Sequence, residues 1–158
     1  GHKTFLFFGV TELDQAVGIE RKQGFLDAVA KDDQVQVTII ETSFSKTNAY
    51  QDALSVLKNI QATYIVCATD NIAIAVLKAA YELGYKVPED FSISGFGGYE
   101  ETDYVHPSIT TVCYPYKEMG RKALNNLMEL VKGTEIPYQI LLPNQLTIKN
   151  STTAREKA

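Results

Sequence analysis

Three side chains suited to recognition chemistry stand beside the ends of short apolar runs: Arg21 in ERKQGF, Phe44 in ETSFSKTN and Asp70 in CATDNIA. Arg21 precedes Phe25 by four residues, so on a helix its guanidinium tops an apolar stripe. There a planar fork of donors suits vicinal hydroxyls or a carboxylate. The same spacing fits a surface arginine whose stem lies over the core. Phe44 stands in a polar loop, where an aromatic ring can be a flat platform for the apolar face of a sugar or base, or can anchor the loop to the core. Asp70 opens a helical pattern, the place of an ordinary N-cap. It can also take a ligand only if one carboxylate oxygen stays free.

Other polar groupings point away from catalysis. His2 and His106 have no Cys or carboxylate neighbours at metal-ligand spacing, so neither a metal site nor a cofactor is expected. GFGGYE (95–100) leads into an acidic loop instead of a helix, so it reads as a turn and not a phosphate cradle. Glu100, Glu101 and Asp103 fit a solvated loop better than a catalytic carboxylate pair. Asn150-Ser151-Thr152 matches a glycosylation acceptor by pattern, a match common enough to be discounted.

The elements that must position these residues follow from periodicity. TFLFF (4–8), VQVTII (35–40), YIVCA (64–68) and FSISGF (91–96) alternate with amphipathic stretches, as in βαβ units. Their Val, Ile and Phe content with little polar alternation fits parallel strands covered on both faces. The expected fold class is α/β, an open, doubly wound, mainly parallel sheet with flanking helices. In such sheets ligands lie beyond the carboxyl ends of the strands, which selects the loops 9–15, 41–47, 69–71 and 97–106.

Four helices are expected. The first covers 15–31, with Phe25, Ala28 and Val29 on one stripe; the second starts at Thr47 as N-cap and places Ala49, Ala53, Leu57 and Ile60 on one face. The third is capped by Asp70 and ended by Gly84. DNIAIAVLKAAYEL is apolar nearly all round, so it needs partners on two sides: its own sheet and either a second subunit or a close-packed neighbour in the same domain. The fourth runs between Pro115 and Gly133, with Tyr116, Met119, Ala123, Leu124, Leu127, Met128 and Val131 forming its stripe. SITTVCY precedes it as a strand, and YQILLP (138–143) and QLTIK (145–149) follow as two more. STTAREKA (151–158) is expected to be a flexible tail.

The bulk composition bounds the function. A chain of 158 residues with 45% hydrophobic content suffices for one domain with a full core. Fifteen Lys and Arg against nineteen Asp and Glu give a net charge of -4 and no basic stripe, so this segment should not grip DNA by itself. Cys67 and Cys113 suit reduced thiols in a cytoplasm, and the sequence shows neither a secretion signal nor a membrane span.

GHK opening a strand, ERKQGFLDAV, CATDNIAIAVLKAAYELGYKVPEDFSISGF, HPSITTV and EMGRKALNNLMELVKG follow one another in an order and spacing that resemble the second half of LacI/GalR-family repressors, over nearly the whole chain. The resemblance implies a periplasmic-binding-protein-like type I fold in which two subdomains close over a sugar effector. Residues 1–109 would be the C-terminal subdomain, 110–135 a crossover strand and helix belonging to a missing N-terminal subdomain, and 136–150 strands returning to the C-terminal one. By the same resemblance Arg21 matches an arginine binding effector hydroxyls, Phe44 the aromatic under the effector ring, and Asp70, after Thr69 where many members have Asn, a carboxylate accepting sugar hydroxyls. Tyr114 and Tyr116 fall where members place further contacts and the hinge. Gly97-Gly98 departs from the Asp pair frequent in the family, and GFGGYE is similar to the disaccharide-responsive branch, sucrose-type repressors especially.

The implied function is sugar sensing by a DNA-binding regulator that makes or breaks no bond. The operator would be held by a headpiece absent from this chain, and a homodimer would involve the helix 70–84. A transport-associated sugar-binding protein of the same fold is the alternative. A flavodoxin-like or Rossmann-like enzyme would need a phosphate loop after a strand, and none is present.

Overall fold

The computed structural model describes residues 1–155. Six strands form one sheet in the order β2-β1-β3-β4-β5-β6: β1 (Thr4–Val10), β2 (Gln36–Thr42), β3 (Tyr64–Cys67), β4 (Ser92–Gly97), β5 (Thr110–Cys113) and β6 (Gln145–Thr147). The first five are mutually parallel and β6 is antiparallel to β5. The α/β, mainly parallel arrangement expected from the alternation of apolar runs is therefore what the chain forms. Residues 138–143, expected as a strand, form no regular element; Tyr138 and Leu141 lie exposed there, with no neighbouring strand to pair their backbone.

The strand order places the helices. From β1 the chain steps outward to β2, then reverses direction to β3, β4 and β5, and right-handed crossovers put helices on opposite faces when the direction reverses. Helix α1 (Arg21–Val29) covers one face, while α2 (Lys46–Leu57) and α3 (Asp70–Glu82) pack together on the other. Phe25 of α1 stacks on Phe7 with centroids 5.2 Å apart and meets the edge of Phe5 at 5.8 Å, so the two odd-numbered phenylalanines of β1 define the α1 face. The core is built around Leu6, Phe8, Ile65 and Ile93 with Ala53, Leu57, Ile72 and Val76.

Several local expectations are corrected. The segment 15–31 is not one regular helix. Gln15–Glu20 is a π-helical turn, capped by the Asp14 carboxylate on the Val17 N–H, and the α-helix starts at Arg21. Gly18 allows it, since a Cβ there would lie 2.0 Å from the Thr11 carbonyl oxygen. Ala28 is exposed, so the stripe of α1 is narrower than its apolar residues suggest. Ser45, not Thr47, caps α2, and Thr69, not Asp70, caps α3 through the Ile72 N–H. Gly84 ends α3 with φ +83°, as expected of a C-terminal glycine.

The second side of α3 is α2. Ile72, Ala73, Ala75, Val76, Leu77, Ala79 and Ala80 are buried inside this chain, leaving Asn71, Ile74, Lys78 and Tyr81 as the outward stripe. Helix α4 (Tyr116–Val131) has the expected boundaries but no buried residue, and its stripe of Tyr116, Leu124, Leu127 and Met128 faces outward. The tail is not frayed over its described length. Ser151 is fully buried, its hydroxyl accepts from the Thr110 N–H and donates to the Ile93 carbonyl, and its own N–H reaches Ser108. That strap also accounts for the Asn-Ser-Thr pattern; the rest of the tail, 156–158, lies outside the described residues.

Candidate functional site

The direction reversal lies between β1 and β3, so their carboxyl ends flank the crevice where an open α/β sheet binds ligands. Arg21 stands there because the π turn delivers it as the first residue of α1. Its guanidinium donates one hydrogen bond to the Ala68 carbonyl, just past β3, and another to the Tyr114 hydroxyl, just past β5. The guanidinium carbon lies 3.9 Å from the centroid of Phe96, a cation–π contact. Tyr114 leans on Phe96 at 5.3 Å and on Tyr116 at 5.5 Å, so one cation and three rings gather the ends of β3, β4 and β5.

No carboxylate of the described residues pairs with Arg21 within salt-bridge distance. Burial draws its pKa below the usual guanidinium value, and the phenols of Tyr114 and Tyr99 offset part of that. The group keeps its proton at any physiological pH. It retains N–H donors beyond the two engaged, so a hydroxylated ligand entering the crevice meets a fixed, charged fork beside aromatic surfaces.

Asp70 is fully buried. One oxygen accepts from the Thr111 hydroxyl at 2.6 Å and the other from the Tyr99 N–H at 2.8 Å, while the helix N-terminus favours its negative charge. Thr111 also accepts from the Gly98 N–H at 3.2 Å, so the carboxylate ties α3, β5 and the loop after β4 into one network. The glycines of GFGG are the counterpart of this arrangement. A Cβ on Gly95 would sit 2.2 Å from one Asp70 oxygen, and one on Gly97 would sit 3.2 Å from the other. Thr69 is buried and occupied as the helix cap.

Arg21, Tyr114 and Tyr116 are thus brought together, whereas Thr69 and Asp70 lie beneath them and not on the surface. Phe44 stays apart: its ring is about half exposed, outside the core cluster and without a ring partner among the described residues. Sequence reasoning missed Phe96 and Tyr99; the only signal was their position at the end of β4 and inside the crevice loop.

The acidic loop is solvated and partly paired, with Asp103 against Lys149 at 2.6 Å and Glu101 near Lys46 at 4.0 Å. Cys67 and Cys113 are free thiols, and no metal-binding cluster occurs among the described residues. No helix of the described residues is long and apolar enough to cross a membrane. A hollow of about 770 Å³ opens on the α1 face of the sheet, lined by Phe25, Val66, Val112 and Leu146, and is continuous with the crevice through Arg21, Phe96 and Tyr114.

Fold and site together define a periplasmic-binding-protein-like domain, and the family model of that description, "Periplasmic binding protein-like domain", matches residues 1–152. The chain belongs to that family, in the form carried by LacI-type transcriptional regulators. It is 36% identical over 155 residues to the sucrose operon repressor of Staphylococcus xylosus, covering 95% of this chain and 47% of that protein. It is 31% identical over 146 residues to the transcriptional regulator MalR of Streptomyces coelicolor, covering 87% and 42%. Among solved structures, the regulator CcpA of Lactococcus lactis aligns at TM-score 0.86 with 25% identity, covering 97% of this chain and 57% of that one. The Escherichia coli repressor ascG shares the fold at TM-score 0.87 and 24% identity, covering 98% and 57%. The chain spans about half the length of the curated relatives it matches.

Proposed function

We propose that this chain senses a small sugar on behalf of a DNA-binding repressor and performs no catalysis. The observation that carries the proposal is Arg21, a cation without a carboxylate partner, fixed by the Ala68 carbonyl and Tyr114 over Phe96 at the switch point of the sheet. Hydroxyls of a sugar would meet its remaining donors and the Tyr116 phenol, with Phe44 as a platform on the far side of the crevice. Thr69 and Asp70 would then serve from beneath, by holding the walls. A sugar that favours one arrangement of the crevice shifts the regulator between states, as the linkage of binding to conformation requires.

The operator would be held by a part of the protein outside residues 1–158, consistent with the net negative charge of this segment. A Lac repressor of the same fold has been seen as a dimer bound to operator and an anti-inducer. By analogy a homodimer is proposed here, with the outward stripe of α3 as its contact, in the cytoplasm. The test is a thermal-shift screen of the full-length protein against neutral sugars and sugar phosphates. A stabilising sugar should lose its effect in Arg21→Ala; an undiminished shift would remove the proposed site.

A further inference from the structure

The loop after β4 turns back sharply on itself. Gly97 has φ +142° and Gly98 φ +73°, conformations that a side-chain-bearing residue rarely adopts. A Cβ on Gly97 would meet the Tyr99 ring at 2.9 Å, and one on Gly98 would meet Cys113 at 2.8 Å. The two glycines are therefore what allows the Tyr99 ring to lie back over the end of its own strand. The backbone of Tyr99 is pinned on both sides: its N–H donates to Asp70, and its carbonyl accepts from the Thr102 N–H at 3.1 Å and the Thr102 hydroxyl at 2.6 Å.

Asp70 accepts from Thr111 on one oxygen and from the Tyr99 N–H on the other, and the Tyr99 phenol has no protein hydrogen-bond partner among the described residues. Tyr99 as a whole is half-buried. Its ring lies against Gly97, the residue after Phe96, at the strand end where Arg21 sits over Phe96 and Tyr116 meets Tyr114, which sets it at the same crevice. A tyrosine hydroxyl can donate one hydrogen bond and accept others, and its ring offers an apolar face.

We infer that Tyr99, held in place by Asp70 through its main chain, is a specificity-determining residue of the sugar site, its hydroxyl reading one hydroxyl of a neutral sugar. The inference rests on the sugar-site reading above. A site that hydrogen-bonds a particular ligand hydroxyl rejects the analogue lacking it, whereas an apolar wall barely distinguishes the two. The Gly97-Gly98 pair is then part of the specificity, because any side chain at 97 displaces the ring.

The experiment uses the full-length protein and titration calorimetry with glucose, fructose, sucrose, maltose and the monodeoxy analogues of whichever binds best. Tyr99→Phe keeps the ring and removes the hydroxyl. The expected result is about a tenfold loss of affinity for the best sugar. One deoxy analogue should bind the variant as well as it binds the unmodified protein, and the urea midpoint should not move. Arg21→Ala should abolish binding of every sugar. Unchanged affinity and ranking in Tyr99→Phe alongside lost binding in Arg21→Ala would overturn the role of Tyr99 and leave the site standing. Undiminished binding in Arg21→Ala, or no response of the unmodified protein to any of these sugars, would overturn both.

Discussion

At the residue scale, Asp70 shows how one carboxylate constrains residues far away in sequence. Its two oxygens fix Thr111 and Tyr99, and its volume demands glycine at position 95. Gly95→Ala should therefore cost about 3 kcal/mol, because the intruding methyl meets a buried, immobile group and not a flexible side-chain end. Urea denaturation measures this directly. Cys67 makes a second prediction. Burial, with the Asp70 charge adding to it, pushes this thiol well above its ordinary range. Above the usual thiol pKa of about 8.5 the unfolded chain releases the proton while the folded chain keeps it. The unfolded state then binds fewer protons, and stability falls as pH rises. The urea midpoint should drop between pH 7.5 and 9.5, and Cys67→Ala should flatten that slope. Thiol reagents at pH 8 should label Cys113 in the folded protein and Cys67 only on unfolding.

At the scale of elements, runs of apolar residues announced β1 to β5 and the helices between them, because a buried parallel sheet selects such runs, although the edge strand β2, expected to be covered on both faces, has no buried residue. Caps were harder to read. Ser45 against Thr47, and Thr69 against Asp70, are pairs of equally good capping residues, and the winner depends on the turn preceding the helix. The π turn at 15–20 left no pattern of its own, since its register is set by Gly18 pressing against Thr11. Arg21 and the tyrosines were legible as candidates, but the burial of Asp70 and the part played by Phe96 depend on contacts between loops that no local spacing encodes. The elements also differ in stability. Helix α4 has no buried residue, so its amides should exchange with solvent far faster than those of α3, as hydrogen exchange would show. The strap at Ser151 belongs to the stable part. Ser151→Ala leaves the Thr110 N–H and the Ile93 carbonyl short of a buried partner and should cost about 2 kcal/mol.

At the scale of the whole molecule, the outward stripe of α4 and the hollow on the α1 face are apolar surfaces left open among the described residues. Surfaces of this kind promote association. Residues 1–158 alone should bind a hydrophobic dye and show a light-scattering mass that rises with concentration; a constant monomer mass would mean the stripe is too mobile to adhere. The register at the sheet edge has an engineering consequence. Cys113 is paired with Gln145, so the polypeptide leaves the sheet and comes back at adjacent positions of two antiparallel strands. Everything from 114 to 144 is thus a detour closed at its base, and a tight hairpin turn of a few residues could bridge the same gap. Such a shortened chain would shed the bare helix together with Tyr114 and Tyr116, while keeping Arg21, Phe96, Tyr99 and Asp70 on an intact sheet. The crevice would be divided into a wall that folds by itself and a wall that can be added back, and the part of the grip belonging to each could be weighed separately.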